Sequence, residues 1–418
     1  EDIFVSVDNW FVIIMSRVFE SFSQVEQGPP DAILGIKTKF LADANPARVN
    51  VSVGAYRDSQ GKPLLLNVVK KAEAIILNDE TRNKEYLPIA GDAKFIAATQ
   101  EFCFGKEAAC VKENRVATVQ ALSGTGALRV GAEFVHTHFP GTVVYIPDPT
   151  WGNHFKIFGN AGLETRKYRY FDMKTKGLDF SGLIEDLKSA PAGSIVVLHV
   201  CSHNPTGVDP TEDQWREILA VVKSNKLLPF FDSAYQGFAT GCVDKDAFAV
   251  RLFEAQCVEM FCAQSYSKNM GLYGERIGAL NVVLRSPEAK PKVISQLELV
   301  VRAMYSNPPR HGAAIAALIL TDPVLLAEWK VELKGMTDRI QSMRQGLREA
   351  IEKLETPGDW EFITSQIGMF AFTGLPKDKV EAMQKNHHIY MPMNGRISIA
   401  GVTDGNIPQI AKAIRSVL

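Results

Sequence analysis

Short apolar segments rich in β-branched residues alternate with longer segments of mixed polarity through the middle of the chain. The apolar segments predict five strands: Val143–Ile146, Ile195–Val200, Leu227–Phe231, Cys257–Ala263 and Ala279–Leu284. The segment Thr211–Lys226 has helical spacing and begins at a threonine suited to an N-cap. Its apolar residues share one side: Trp215, Ile218, Leu219 and Val222. The alternation of strands and helices predicts an α/β domain with a mostly parallel sheet.

Pro229 interrupts one of these apolar segments. Proline has no backbone N–H and therefore cannot donate to the hydrogen-bond ladder of a sheet. The residue argues against a central strand at this point, or it places the strand at an edge of the sheet.

A long amphipathic pattern follows Asp322. Apolar residues recur at spacings of three and four from Leu326 to Leu354, which predicts one long helix. A coiled coil would show the same spacing, but a helix that joins two lobes is the simpler interpretation. The later segments "GMFAFTGL" and "GRISIAGV" predict strands of a smaller α+β lobe.

The composition is that of an ordinary globular protein. The chain has 418 residues, of which 46% are hydrophobic and 22% charged, with a net charge of −1. A chain of this length usually divides into about two or three domains. The balanced charge gives no reason to expect nucleic acid or an acidic membrane as a partner. No apolar run approaches the ~18 residues that would span a bilayer, so we expect a soluble protein.

Six cysteines lie in apolar stretches: Cys103, Cys110, Cys201, Cys242, Cys257 and Cys262. Their spacing is not that of metal ligands, and the chain is far longer than a small disulfide scaffold. We therefore expect reduced thiols in the core, with no disulfide framework and no metal site.

The first fourteen residues, "EDIFVSVDNWFVII", contain three acidic residues and no basic one. Secretory leaders begin with basic residues, and mitochondrial leaders are rich in arginine and poor in acids. The segment fits neither address. A more ordinary segment begins at Met15, so we treat residues 1–30 as a leader and arm outside the main fold.

Polar side chains follow four of the predicted strands, where each strand ends. They are Trp151 and His154, then Asn204, then Asp232 and Tyr235, and then Ser265 and Lys268. Ligands of open α/β sheets bind at the carboxyl ends of the strands. Taken singly, each has a structural explanation, since Asn204 opens a good turn, Asp232 suits a helix cap and Trp151 suits a core. Together they place an aromatic ring, an amide, a carboxylate, a phenol and an amine at one edge.

The segment "LSGTGALRVG" predicts a helix that opens with small residues and packs down through Leu128, Val130 and Phe134. A helix N-terminus with glycine, serine and threonine offers N–H groups and hydroxyls to a phosphate. The segment lacks the lysine of a P-loop and the G-x-G-x-x-G pattern of dinucleotide sites. It therefore indicates a generic phosphate site.

These groups match the needs of pyridoxal phosphate. That cofactor requires a phosphate site, a ring to stack on its pyridine, a carboxylate for its ring N–H and a lysine able to form a Schiff base. The carboxylate keeps the ring nitrogen protonated, which makes the ring an electron sink. Lysine suits the covalent link because desolvation or neighbouring cations can lower the pKa of its amine. Lys268 is the candidate.

The segment "SYSKNMGLYGERIG" resembles the lysine signature of the aspartate aminotransferases, which are fold type I pyridoxal phosphate enzymes. The resemblance extends over almost the whole chain after the leader. It is carried, in order, by "VNVSVGAYRDSQGKP", "EYLPIAGDAKF", "LSGTGALRVGAEF", "DPTWGNHFKIF", "CSHNPTGVDPT", "SNPP" and "GRISIAGV".

For the cofactor ring, the resemblance implies that Lys268 forms the covalent link and then moves the proton of the reaction. Asp232 would pair with the ring nitrogen, with His154 behind it. Asn204 and Tyr235 would hydrogen-bond the phenolic oxygen, and Trp151 would stack on the ring.

For the cofactor phosphate, the resemblance implies a set of five residues from one chain: Ser123, Gly124, Thr125, Ser265 and Arg276. Arg276 would bind the phosphate through the bidentate fork that lysine lacks. Tyr86 would reach the same phosphate from a neighbouring subunit, which makes the expected assembly a homodimer with shared sites.

For the substrate, the resemblance implies two arginine clamps. Arg396 would bind the α-carboxylate, with Gly54 and Asn204 beside it. Arg302 would take the distal carboxylate across the dimer interface. Tyr56 and Phe370 would line the site near the clamps.

The function implied is reversible transfer of the amino group between L-aspartate and 2-oxoglutarate, giving oxaloacetate and L-glutamate. An aromatic or broad-specificity aminotransferase of the same family is the alternative, and a non-catalytic binding protein on the same fold is a further one. The pI near 6.8 favours a cytoplasmic protein over a mitochondrial one.

The fold implied is a large domain with a seven-stranded, mostly parallel sheet over residues 63–335. A smaller α+β domain would combine residues 31–62 with residues 336–418. The long helix would join the two domains.

Overall fold

The structure, a computed structural model, describes residues 6–7, 10–11, 22–29, 31 and 34–418. Most of the acidic leader therefore lies outside the described residues, and so does much of the predicted arm over residues 1–30. The description of the fold begins in practice at residue 34.

Seven strands form the central sheet. In chain order they are β1 Val116–Leu122, β2 Val143–Asp148, β3 Glu164–Arg169, β4 Ile195–His199, β5 Leu228–Ser233, β6 Met260–Ser265 and β7 Ile277–Val283. Their order across the sheet is β1-β7-β6-β5-β4-β2-β3. Strand β7 runs antiparallel to both of its neighbours, and the other four pairings are parallel. The α/β fold with a mostly parallel sheet is confirmed.

Strand β5 occupies the middle of the sheet, so the interpretation of Pro229 as a mark of an edge or of no strand was wrong. The N–H of Leu228 donates to Ser194 O on the β4 side, and successive residues of a strand face opposite neighbours. Pro229 therefore faces β6. The pairing of β5 with β6 begins only at Phe230, opposite Phe261, so the missing N–H removes no ladder bond.

Two strands of the sheet were not among the five predicted from the apolar pattern. Strand β3, "ETRKYR", is mostly polar and forms the exposed edge next to β2. Charged side chains are typical of protected edge strands. Strand β1, "VATVQAL", lies at the other end of the sheet and is almost entirely buried.

Helices cover both faces of the sheet and build the rest of the fold. The α-helices are Leu34–Ala42, Asn67–Leu77, Ala93–Phe104, Ala109–Lys112, Ser123–His138, Asn153–Asn160, Phe180–Ser189, Glu212–Ser224, Val243–Asp246, Phe248–Ala255, Lys290–Tyr305, Arg310–Thr321, Pro323–Lys353, Phe362–Ser365, Lys377–His387 and Ile407–Val417. Short 3-10 turns are Phe22–Gln24, Pro287–Ala289 and Ile399–Gly401. The predicted helix after Thr211 is confirmed, and Thr211 forms a capping box with Gln214.

The predicted long helix is the 31-residue helix Pro323–Lys353. It packs against Arg310–Thr321 and Asn67–Leu77 near its start, and against Phe362–Ser365 and Ile407–Val417 further on. In the part of the chain that the structure describes, no single helix is long and apolar enough to cross a membrane. Only the bent pair Arg310–Thr321 with Pro323–Lys353, at an angle of 97°, meets that test of length and composition together.

Among the described residues, four small two-stranded sheets complete the strands. The pairs are Ser6–Val7 with Trp10–Phe11, Val49–Asn50 with Ile389–Tyr390, Phe171–Asp172 with Gly177–Leu178, and Phe370–Phe372 with Arg396–Ser398. The last pair confirms the strands predicted in "GMFAFTGL" and "GRISIAGV". The division into a domain of residues 63–335 and a domain of residues 31–62 with 336–418 stays a prediction.

The cysteines are free thiols, as expected, but not all of them lie in the core. Cys257 is exposed and Cys242 is half-buried, whereas the other four are buried. Cys257 follows a helix that ends at Ala255 and has a positive φ of 53°, so it belongs to a turn before β6. The expectation of a core thiol was wrong there because the apolar run begins with this turn.

The helix Ser123–His138 packs closely on the sheet. Leu128, Val130 and Phe134 are buried, as their spacing predicts. Gly131 permits this approach, since a Cβ built on it would lie 2.6 Å from Cζ of Phe230. The glycine thus fixes how near the N-terminus of this helix comes to the strand ends.

We expect Gly131→Ala to destabilise the protein by about 1–3 kcal/mol because the added methyl overpacks the helix against Phe230. Gly159→Ala is the matched control. Gly159 is an exposed helical residue with nothing within 4 Å of a built Cβ, so alanine there should stabilise by up to about 1 kcal/mol. Urea unfolding of both variants measures these free energies. Equal effects at the two positions would contradict the close packing.

Candidate active site

A cavity of about 390 Å³ opens at the carboxyl ends of the parallel strands. The parallel strands beside the cavity each contribute residues from their carboxyl ends or from the loops that follow them. The lining includes Gly54, Ser123, Gly124, Thr125, Trp151, His199, Asn204, Asp232, Tyr235, Ser265, Ser267, Lys268, Tyr273, Arg276, Phe370 and Arg396. Thirteen residues of one chain were predicted to bind cofactor or substrate, and all of them except His154 line this cavity. Of the two residues predicted as further lining, Phe370 lines it and Tyr56 does not.

Lys268 lies in the cavity wall three residues after β6. Burial lowers the pKa of its amine, the negative charge of Asp232 opposes that shift, and the charges of Arg276 and Arg396 reinforce it. The amine also lies 5.1 Å from the centre of the Tyr235 ring. A lysine with a lowered pKa has a larger share of neutral, nucleophilic amine at neutral pH.

Asp232 lies near the carboxyl end of β5, where it is buried and lines the cavity. One of its oxygens, Oδ2, lies 3.0 Å from Nε2 of His154, and Nδ1 of His154 lies 2.9 Å from the hydroxyl of Thr150. Burial acts to raise the pKa of the Asp232 carboxyl, but the hydrogen bond with His154 and the electrostatic effects of His154, His199 and Lys268 together outweigh it, so the pKa falls below its ordinary value. His154 is fully buried and stands behind Asp232.

Two further buried histidines, which were not among the predicted site residues, extend this network. His199, the last residue of β4, lines the cavity, and its ring lies 5.3 Å from that of His154. His203 packs against His199 and stacks on Tyr170 at 3.9 Å. Burial lowers the pKa of both imidazoles well below the ordinary value, so both are neutral. The position of His199 at the end of a predicted strand was the available signal.

The side-chain nitrogen and oxygen atoms that His154, His199 and Asp232 could offer to a metal ion lie within 4.8 Å of one another. The nitrogen of His154 that faces Asp232 is engaged in their hydrogen bond. The network therefore serves as hydrogen-bond support for the carboxylate.

A cup of hydroxyl groups lies beside Lys268, at the N-terminus of the helix Ser123–His138. The Ser123 hydroxyl is 2.9 Å from that of Ser265 and 2.7 Å from that of Ser267. Ser267 was not in the predicted set. The Arg276 guanidinium closes the cup; one of its nitrogens donates to Tyr273 O at 3.1 Å. Arg276 precedes β7, and the antiparallel direction of β7 brings this residue to the same edge as the other strand ends.

Arg396 forms the opposite wall. One terminal nitrogen donates to Oδ1 of Asn204 at 3.1 Å and the other to Ser52 O at 2.6 Å. Its guanidinium lies 4.2 Å from the centre of the Phe370 ring. Phe370 also closes on Gly54, where a built Cβ would lie 2.9 Å from the ring. Asn204 donates in turn to the Tyr235 hydroxyl at 3.4 Å.

Tyr86 and Arg302 do not line the cavity. The Tyr86 side chain is 79% exposed, and Arg302 is exposed and donates to the hydroxyl of Ser306. Tyr56 is buried and its N–H donates to the Tyr273 hydroxyl, but its side chain does not line the cavity either. The roles of Tyr86 and Arg302 in a neighbouring subunit's site stay predictions.

The sequence model of the family described as "Aminotransferase class I and II" matches residues 47–414. The chain belongs to this family. Aminotransferases of this class are pyridoxal phosphate enzymes of fold type I, and the predictions of family, enzyme class and cofactor are confirmed.

Two curated relatives of this aminotransferase match it over nearly their whole length. The cytoplasmic aspartate aminotransferase of Oryza sativa subsp. japonica is 56% identical, over 94% of this chain and 97% of the relative. The mitochondrial aspartate aminotransferase of Gallus gallus is 51% identical, over 96% of this chain and 95% of the relative.

Two solved structures are similar in fold. Aspartate aminotransferase from the cytoplasm of Saccharomyces cerevisiae has a TM-score of 0.93 and 45% identity, covering 95% of this chain and 98% of that one. Aromatic-amino-acid aminotransferase from Burkholderia pseudomallei, covalently bound to pyridoxal phosphate, has a TM-score of 0.93 and 43% identity, covering 96% and 100%.

The donor set of the cavity fits pyridoxal phosphate. The hydroxyl cup, the helix N-terminus and Arg276 would hold the phosphate, since all of them present donors or positive charge to an anion. Asp232, kept ionised by His154, would hold the protonated ring nitrogen. Trp151 lies at the mouth beside His154, where it would cover one face of the ring. Lys268 supplies the amine.

We expect the Lys268 amine in the cofactor-free aminotransferase to titrate below its ordinary pKa of 10.5, because burial disfavours the charged form. Asp232→Asn should lower this pKa further, since the Asp232 charge stabilises the ammonium. Competitive acetylation followed by mass spectrometry across a pH series measures the value.

Asp322→Asn is the control for that experiment, because Asp322 caps the helix Pro323–Lys353, does not line the cavity and is not among the groups acting on Lys268. It should leave the pKa of Lys268 unchanged. A Lys268 pKa at the ordinary value, or an increase in Asp232→Asn, would contradict the electrostatic account.

Proposed function

We propose that the protein is an aspartate aminotransferase that transfers the amino group reversibly between L-aspartate and 2-oxoglutarate, giving oxaloacetate and L-glutamate. The observation that carries this proposal is the state of Arg396. It is 3% exposed, and its terminal nitrogens donate to the uncharged oxygens of Asn204 and Ser52, while its Nε has no hydrogen-bond partner among the described residues.

A buried cation without a counterion is costly, so a cavity wall of this kind suits an anionic ligand. Burial lowers the pKa of the Arg396 guanidinium to about 10, but it remains charged at neutral pH. A substrate α-carboxylate beside Asn204 and Gly54 would supply the missing negative charge through a charge-assisted pair. All amino acids and 2-oxo acids carry that carboxylate, so Arg396 supports the class of substrate.

The second carboxylate of the substrate supports the finer assignment. Relatives 51–56% identical over most of the chain are named aspartate aminotransferases. Arg302 would bind the distal carboxylate from the neighbouring subunit. Its exposure in one protomer agrees with a role completed only by assembly.

Pyridoxal phosphate, when bound, supplies an electron sink for the negative charge that develops at the substrate α-carbon. Lys268 would take the proton that leaves this carbon and move it to the carbon on the other side of the migrating nitrogen, and its lowered pKa suits the task at neutral pH. Arg396 and Asn204 fix the α-carboxylate and thereby the direction of the bond that breaks. Trp151 and the walls of the cavity limit access of water.

The supporting groups keep the charges in place during turnover. His154 hydrogen-bonds Asp232 and helps to keep it ionised. Asn204 and Tyr235 present an amide and a phenol to one side of the cavity, where they would hydrogen-bond the phenolic oxygen of the cofactor. Burial raises the pKa of the Tyr235 hydroxyl, so it stays protonated and able to donate.

We also propose a homodimer with shared active sites. Tyr86 would reach the phosphate of the partner's site and Arg302 the partner's substrate. A large aromatic side chain that is 79% exposed, as Tyr86 is, suits an interface. A two-fold dimer is the commonest symmetric assembly.

An aromatic or broad-specificity aminotransferase is the second candidate. A cavity of about 760 Å³ adjoins the site and shares Trp151, Asn204 and Arg396 with it. Its other lining includes Ile36, Pro205, Pro392 and Met393, which would suit an apolar side chain. The similar structure from Burkholderia pseudomallei is named an aromatic-amino-acid aminotransferase.

For the compartment we propose the cytoplasm, with the mitochondrion as the alternative. Relatives of similar identity are named cytoplasmic, mitochondrial and chloroplastic. The pI near 6.8 favours the first of these.

The substrate assignment predicts the selectivity of an Arg302→Ala variant. We expect its barrier to rise by about 2–5 kcal/mol for aspartate and glutamate, because a desolvated charge pair is broken. The barriers for alanine and phenylalanine should change much less. Steady-state kcat/KM with the four substrates measures the difference.

Arg285→Ala is the control, because Arg285 is another exposed arginine and does not line the cavity. It should leave all four values unchanged. If Arg302→Ala lowers kcat/KM equally for every substrate, Arg302 is structural and the dicarboxylate assignment loses its main support.

The shared-site dimer predicts recovery of activity in hybrid dimers. Lys268→Ala and Arg302→Ala chains should each be nearly inactive toward aspartate. In a hybrid, one site collects both lesions and the other site is intact, so up to half of the activity of a wild-type dimer should return per hybrid. Activity is measured after subunit exchange has been verified with two differently tagged chains.

If Lys268 and Arg302 served the site of the same chain, every site of the hybrid would keep one lesion. No recovery after verified exchange would therefore overturn the shared site. A mixture of Lys268→Ala with Lys268→Ala under the other tag controls for activity gained by exchange alone.

A further inference from the structure

Asp209 lies outside the cavity, in the loop that follows β4, but it holds the part of that loop that leads into Asn204. Its Oδ2 accepts the N–H of Ser202 at 2.6 Å, and its Oδ1 accepts the N–H of His203 at 2.9 Å. Asp209 does not line the cavity. Both contacts come within two residues of Asn204.

The backbone at Ser202 needs this support. Its φ of 53° is in the left-handed region, which is unfavourable for a residue with a side chain. The conformation turns two successive N–H groups toward the Asp209 carboxylate, and water does not reach them because both residues are buried. Gly368 closes on the other side, where a built Cβ would lie 2.5 Å from Cβ of Ser202.

The rest of the loop is fixed by contacts to neighbouring side chains. The His203 ring stacks on Tyr170, and its Nδ1 lies 2.8 Å from the hydroxyl of Thr206. The Asn204 side chain then bridges the cavity wall, since its oxygen accepts from Arg396 and its nitrogen donates to the Tyr235 hydroxyl. A shift of the loop therefore moves Asn204, which is the hydrogen-bond partner of both Arg396 and Tyr235.

Among the described residues no cation pairs with Asp209, and its two carboxylate oxygens accept the N–H groups of Ser202 and His203. Burial raises the pKa of the carboxyl to about 6, and the N–H groups of His203 and Ser202 restrain that rise. The carboxylate is thus ionised at neutral pH, and both of its oxygens accept.

We infer that Asp209 is a positioning residue of the reaction: it orients Asn204 and, through Asn204, the Arg396 guanidinium that receives the substrate α-carboxylate. The inference rests on the roles proposed above for Asn204 and Arg396. Asp209 acts on substrate binding while it contacts neither substrate nor cofactor.

The test is a double-mutant cycle in the holoenzyme, with wild type, Asp209→Asn, Asn204→Ala and the double variant. Asparagine keeps the shape of Asp209 but replaces one accepting oxygen with an NH₂ group. We expect Asp209→Asn to lower kcat/KM for aspartate by between about tenfold and about a hundredfold, the range for one lost charge-assisted hydrogen bond, mainly through KM. The double variant should be no worse than Asn204→Ala alone.

A second measurement separates positioning from stability. If Asn204 moves in Asp209→Asn, the pH titration of the visible absorbance of the bound cofactor should shift in the same direction as in Asn204→Ala. Asp322→Asn is the control, since Asp322 also accepts two backbone N–H groups, those of Val324 and Leu325, and does not line the cavity. It should leave KM and the titration unchanged.

Additive losses in the cycle would overturn the inference, because they would show that Asp209 acts independently of Asn204. An unchanged KM in Asp209→Asn would do the same. If Asn204→Ala itself has no effect, the role proposed for Asn204 is wrong, and that result is distinguishable from additivity. If Asp209→Asn does not fold, Asp209→Glu takes its place in the cycle, since it keeps the charge but displaces the carboxylate from the N–H groups of Ser202 and His203.

Discussion

The direction of the strands is the constraint on which the site depends. Six strands of the sheet run parallel, so the residues that follow them in sequence meet at one edge. Lys268, Asp232, Asn204 and Trp151 come from four different strand ends and line one cavity for this reason. Strand β7 agrees with this constraint, because it runs in the opposite direction and contributes Arg276, the residue that precedes the strand. A sheet with another order of directions would scatter the same residues.

The charges around the cavity are unbalanced, and the imbalance is specific. Lys268, Arg276 and Arg396 line it as cations, whereas Asp232 is the carboxylate among its lining residues. Burial disfavours the charged forms of Lys268 and Arg396, and it lowers the pKa of both groups for this reason. Anionic ligands relieve this unfavourable state, so the same electrostatics that disfavour an empty cavity favour a phosphate at one end and a carboxylate at the other.

Carboxylates outside the cavity maintain its shape by accepting backbone N–H groups. Asp209 serves the loop before Asn204, and Asp246 serves the loop after Tyr235 by accepting from Gly237, Ala239 and Thr240. Burial raises the pKa of both carboxyls. Loops of this kind cannot rely on the ladder of a sheet, so a side-chain acceptor replaces it. The two loops present Asn204 and Tyr235, which are hydrogen-bonded to each other.

The sequence by itself determined the strands with apolar runs, the capped helix after Thr211 and the long helix, because each depends on local periodicity. It also determined most of the cavity, since rare polar residues stood directly after predicted strands and matched known motifs in order. Only the tertiary structure decided that β5 is central despite Pro229, because the cost of a missing N–H depends on where the neighbouring strand begins. It alone revealed His199, Ser267 and Asp209 as parts of the site or its support, and it placed Cys257 at the surface. Contacts between residues distant in sequence leave no periodic pattern, so only the folded chain shows them.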